Sequence, residues 1–184
     1  MSRSALMRTT EIFNTRLRTL ARLLDMAEAQ WREKGRDTAS FLAARLADDM
    51  VPFPHQIVFA CNQPNHFAAW CAGAPSPQTD PTALDFAGLK QHVGDAIGYL
   101  AEATAAADDR VLARDKRIDL QAGMFIVLSG ARYVDDWLMP NFYFHVVTAY
   151  DILRHEGVQI GKADYMAHLA SRLRPAEQAQ GANA

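Results

Sequence analysis

The sequence predicts an all-α protein: a four-helix bundle with a crossover connection and a small β-hairpin before the last helix. Three observations carry this. Long segments place apolar residues at spacings of three and four. Proline, glycine and acidic residues stand at the segment ends, where helix starts and stops belong. One short stretch alternates apolar and polar residues instead.

From about Ser4 to Lys34, the residues Phe13, Leu17, Leu20, Leu24, Ala27 and Trp31 fall on one stripe of a helix. Gly35 suits a left-handed stop, and Asp37-Thr38 can cap a short helical turn over Ala39 to Arg45. Pro52 and Pro54 mark the start of a second helix reaching about Ala72, because the first turn leaves its amides unpaired anyway. Pro64 lies inside that helix and predicts a kink near Asn62 or a break into two pieces. Gly73 to Pro81 reads as an exposed loop, and Asp85 caps a third helix carrying Phe86, Leu89, Val93, Ile97 and Leu100.

Between Lys116 and Ser129 the pattern changes. Arg117-Ile118-Asp119-Leu120 alternates, Ala122-Gly123 can turn, and Met124 to Leu128 is a β-favouring run, so a hairpin is expected. Two strands alone are not stable, which makes the hairpin an attachment to the bundle. Ser129 or Gly130 opens the last helical region, Pro140 starts a fresh turn within it, and Gly157 stops it after Glu156. The expected organisation is a single helical domain over residues 1–170 and a frayed, flexible tail over 171–184.

Composition narrows the function classes. With 49% hydrophobic and 22% charged residues in 184, the chain can bury a core of its own. Nineteen Lys and Arg against 21 Asp and Glu give a net charge of -2, which speaks against nucleic acid as a partner. Arg3, Arg8, Arg16, Arg18 and Arg22 read as the solvated face of the first helix. No stretch reaches the ~18 to 20 apolar residues of a spanning helix, and no secretory leader is visible, so a cytoplasmic, membrane-free protein is expected. Cys61 and Cys71 match no metal or disulfide pattern and are read as free thiols of a reducing compartment.

Six histidines make metal binding the first chemistry to test. A helical pair four residues apart would place two imidazoles on one face, and this chain has none. His145 and His155 are ten residues apart, about 15 Å along one helix, and cannot share an ion. His55 and His66 stand about three turns apart. Two readings remain: a composite site joining His145 to His55, His66 or Asp49 across helices, or hydrogen-bonded structural histidines, which the spacing favours. Asn141, His145 and Thr148 form a polar stripe in aromatic surroundings, and Arg45, Asp49 and Gln56 are candidate partners for it. No nucleophile elbow or phosphate loop is present, since Gly88, Gly94 and Gly98 fall inside a helical pattern.

Two strings carry a resemblance: PNFYFHVVTAYDILRHEGVQIGKADY at 140–165 and RLADDMVPFPHQ at 45–56. Together they resemble the domain-of-unknown-function family numbered nineteen ninety-three, over about Thr9 to Met166. That family is similar in fold to the DinB and YfiT-like four-helix bundles, many of which bind a divalent metal through three histidines. The resemblance thus implies a DinB-like bundle with a crossover. The positions that match the family are Arg45, Asp49, Pro52 and Gln56, then Asn141, Tyr143, His145, Tyr150, Arg154, Gly157, Gly161, Lys162, Asp164 and Tyr165. DinB-like proteins carry two ligands four residues apart on the last helix, whereas here His145 is followed at that spacing by Ala149.

The expected function is a helical-bundle protein with a small-molecule pocket lined by the last helix, its candidates being Arg45, Asp49, Gln56, Asn141, Tyr143, His145 and Tyr150. No cofactor is favoured, and a homodimer is expected. The alternative is an enzyme using a divalent metal, Zn or Ni, for thiol transfer or hydrolysis, with His145 and a cross-helix ligand. A third possibility is an adaptor that binds another protein through the first helix or the hairpin.

Overall fold

The computed structural model describes residues 4–174, so residues 175–184 of the expected tail lie outside the described residues, as does Arg3. Helix α1 spans Ala5–Glu33, α2 Phe53–Ala72 and α3 Phe86–Thr104. Strands β1 (Asp115–Asp119) and β2 (Phe125–Ser129) pair antiparallel in the expected hairpin, with Arg117 opposite Val127. The last helical rod is continuous: α4 (Gly130–Arg132), a π-helical turn (Tyr133–Leu138) and α5 (Met139–His155). A short α6 (Lys162–Tyr165) follows. No helix among the described residues is long and apolar enough to cross a membrane.

The caps fall where the sequence places them. The Asp85 side chain accepts from the Gly88 amide, the Asp37 side chain from Ala39, and Gly35, Gly73 and Gly157 adopt positive φ at helix ends. All six stripe residues of α1, from Phe13 to Trp31, are fully buried. Helix α1 packs on α3, α3 on α2 and α2 on α5. Phe13 closes the ring, its side chain edge-on to Phe142 of α5 at 5.0 Å. Consecutive α1 and α2 therefore lie across the bundle rather than side by side, which is the crossover.

Helix α1 also has a distant cap. The Asp109 carboxylate, from the short 3-10 turn before the hairpin, accepts from the Leu6 amide at 2.8 Å and the Ala5 amide at 3.3 Å. It supplements Ser4, whose hydroxyl accepts from Met7 at 3.2 Å.

The two prolines inside helical segments fare differently. Of the kink or break expected at Pro64, the break does not occur: helix α2 runs as one element through the proline. Tertiary packing holds it together, since Gln63, Pro64 and Asn65 are all buried and Phe67 and Ala68 continue the core. Pro140 stands in the first turn of α5, where the sequence places a fresh turn. It follows a widened π turn inside a continuous rod, where proline's missing amide needs no i-4 partner.

Candidate functional site

The polar stripe of α5 is satisfied mostly by its own helix. Asn141 donates to the Trp137 carbonyl at 2.6 Å and Thr148 to the Phe144 carbonyl at 2.7 Å. Only His145 reaches another helix: its Nδ1 lies 2.8 Å from Oε1 of the buried Gln56. The Gln56 amide is oriented by a second bond, Nε2 donating to the Val51 carbonyl at 3.2 Å. Its oxygen must then face the imidazole, so Nδ1 carries the proton and Nε2 is the bare nitrogen. The ring packs edge-on against Phe59 at 5.3 Å and Phe144 at 5.1 Å. Burial among these rings holds its pKa below the ordinary histidine value.

The other predicted partners do not join this pair. Arg45 and Asp49 are exposed in the segment before α2, where water solvates their charges and Arg45 donates to the Ala43 carbonyl. Tyr143 stands beside Phe142, and Tyr150 packs on Tyr165 at 5.8 Å over a shallow hollow of about 160 Å³. Several motif residues after Tyr150 serve as fasteners. Arg154 donates to the Ile160 carbonyl, and Asp164 accepts from the Gly161 amide while pairing with Arg22 of α1 at 3.3 Å.

A wider concavity lies elsewhere. A cleft of about 600 Å³ opens where the end of α2 meets the loop after it, β1 and the π turn. Its aromatic walls are Trp70 from α2 and Tyr133 and Trp137 from the π turn, with Trp70 and Tyr133 edge-on at 5.3 Å. Gly130 makes this arrangement possible: a Cβ there would meet the Trp70 ring at 2.5 Å and the Leu112 carbonyl oxygen at 2.6 Å. The glycine lets the rod begin flush against the tryptophan.

The polar rim is cationic. Arg114 donates to the Trp70 carbonyl at 2.9 Å, and Arg117 pairs with Asp119 at 2.8 Å. Lys116, half-buried, sits 5.8 Å from the Tyr133 ring centre. His66 also lines the cleft, its pKa lowered first by burial and then by the Lys116 charge. Burial pushes the Tyr133 hydroxyl up to about 12, so it stays a neutral donor. Cys71, near Tyr133, is pushed up to about 11 by burial, and Cys61 is raised further. Neither thiol is a ready nucleophile at neutral pH.

Of the cleft residues, sequence reading singled out only His66, and for metal binding. The available signal was the run Arg114-Asp115-Lys116-Arg117 leading into the hairpin, with aromatic residues on the flanking helices.

The family profile described as a domain of unknown function (DUF1993) matches residues 7–166. The chain belongs to DUF1993. Among solved structures, a DinB family member from Shewanella denitrificans resembles this DUF1993 chain with a TM-score of 0.73 and 30% identity, covering 85% of this chain and 88% of that one. The DinB-like bundle expected from the motifs is therefore its fold. A comparison with curated proteins returns no match.

The three-histidine metal set of many DinB-like proteins does not fit the residues present. Ala149 is buried where a second ligand would stand on α5, and among the described residues the cross-helix hydrogen-bond partner of His145 is an amide. Among the described residues no three His, Cys, Asp or Glu side chains come together as a ligand group.

Proposed function

We propose that this DUF1993 protein binds a small planar molecule in the cleft walled by Trp70, Tyr133 and Trp137. The observation that carries this reading is the cleft itself, about 600 Å³ and faced by three aromatic rings. That volume lies within the roughly 300–1,000 Å³ typical of small-molecule sites. A π turn supplies two of the rings, and such turns concentrate at functional positions. The proposed pocket involves the last helical rod through its first turns, and none of Asn141, Tyr143, His145 or Tyr150 lines it. The free thiols of Cys61 and Cys71 support placing the protein in a reducing, cytoplasmic compartment.

Three tryptophans make the test direct. Trp31 is fully buried at the far end of the bundle, with its indole donating to Ser40, while Trp70 and Trp137 face the cleft. In a fragment screen read by NMR, planar aromatic hits should move the indole N–H signals of Trp70 and Trp137 and leave that of Trp31 in place. Hits that move neither cleft signal would sink the reading. The metal-dependent alternative predicts a clear rise in Tm on adding Zn or Ni at concentrations well above its Kd. On the donor set described, we expect no rise.

A further inference from the structure

We infer that the ligand of this cleft is an aromatic carboxylate, its ring among Trp70, Tyr133 and Trp137 and its anionic group on Lys116. This rests on the cleft reading and adds the chemical class. The polar groups available to a ligand are the argument. Arg117 is neutralised by Asp119, and Arg114 is engaged with the Trp70 carbonyl at the C-terminal end of α2. Lys116 differs from both. Alternation along β1 turns Lys116 and Ile118 inward while Asp115, Arg117 and Asp119 face solvent. Its ammonium has no carboxylate or carbonyl partner among the described residues. A half-buried ammonium that faces a ring and no counter-charge has lost part of its hydration, which an anion would offset.

Two further groups point the same way. The Ser76 hydroxyl, in the loop lining the cleft, is buried without a hydrogen-bond partner. The Tyr133 hydroxyl has no partner among the described residues either, and Tyr133 lines the same space. The unfilled groups are thus an ammonium and two hydroxyls, all able to donate, while the single carboxylate on the rim is already paired. Such a set suits an acceptor-rich, negatively charged group. The aromatic walls suit a flat ring attached to it.

The test uses the full chain and two isosteric probes, 2-naphthoate and 2-naphthamide, titrated by calorimetry at neutral pH. Naphthoate should bind about 10- to 100-fold more tightly, the range of one charge-assisted hydrogen bond. Lys116→Met should bring the two probes to equal affinity without weakening the amide, and Lys116→Arg should keep the preference. Equal affinity of both probes for the unmodified protein would overturn the carboxylate class and leave the cleft reading standing. Saturable binding of neither probe would count against both. A preference for naphthoate that survives Lys116→Met, in protein with unchanged melting, would overturn the assignment to Lys116.

Discussion

The two ends of α2 are both built from aromatic residues, yet one is a closed core and the other an open cleft. Phe53 at the start of the helix and Trp70 near its end are 17 residues apart, about 25 Å along the axis. Around Phe53, the rings of Trp31, Phe41 and Phe86 meet at 4.5 to 6.4 Å and are all but fully buried. Around Trp70, the rings of Tyr133 and Trp137 leave about 600 Å³ unfilled. The difference lies in the backbone nearby. The 3-10 turn Thr38–Ala43 inserts Phe41 into the first cluster as a plug. At the other end, the hairpin segment brings the cationic side chains of Arg114 and Lys116 over the rings of Trp70 and Tyr133, and no aromatic plug. Aromatic content therefore does not separate core from site; the presence of an inserted segment does.

Truncating a ring at each end tests this contrast most strongly. Trp31→Ala should cost about 3–5 kcal/mol in urea unfolding, as for large core residues generally. Trp137→Ala, half-buried at the open end, should cost roughly 1 kcal/mol while abolishing probe binding. Equal losses would mean that the cleft is collapsed in solution.

A methyl group on Gly130 probes how the cleft wall is set. Its Cβ would overlap the Trp70 ring and the Leu112 carbonyl, so Gly130→Ala should cost about 1–3 kcal/mol and weaken probe binding together. A variant of full stability with unchanged binding would show that the wall yields freely.

Acidification should act through histidines and not through the closed cluster, whose four rings do not titrate. Burial lowers the pKa of His66, His92 and His145, with Lys116 adding to the effect at His66 and Asp95 opposing it at His92. The folded state thus takes up protons less readily than the unfolded chain. Stability should be full above about pH 6.5, the unperturbed histidine value, and fall as the pH drops below it. A urea midpoint that holds or rises on acidification to about pH 5 would contradict this.

The smallest effect is expected at the surface. Lys90 of α3 contacts Asp25 and Glu28 of α1, each at 2.7 Å, and these bonds hold its pKa above the usual lysine value. Because the group is partly solvated, Lys90→Met should cost under about 1 kcal/mol, with the difference shrinking at high salt. A loss rivalling that of Gly130→Ala would make this bridge, rather than ring packing, the tie between α1 and α3.

The fold was legible because its determinants are local. The stripe from Phe13 to Trp31, the Asp85 cap and the positive-φ glycines each act within a few residues of chain. Part of the predicted cluster was legible too: Gln56 meets His145 across 89 positions, because each lies on a helix whose register its apolar stripe already sets. The cleft was not. Its walls come from residues 66–76, 114–119 and 133–137, whose meeting depends on the hairpin's lean and on a π turn that no periodicity announces. That Arg45 and Asp49 stand apart from the His145–Gln56 pair was illegible for a related reason, since a charged residue beside a motif does not reveal whether its loop turns toward the bundle or toward water.

The carboxylate of Asp109 reaches back more than a hundred positions to hold the first amides of the opening helix. The beginning of the chain is thereby latched to the segment that carries the hairpin. Any motion that swings the strands outward to admit or release a guest would pull on that latch, and deuterium uptake at Leu6 would quicken with it. An event at the binding face could thus be read at the start of α1, through one side chain and two backbone protons.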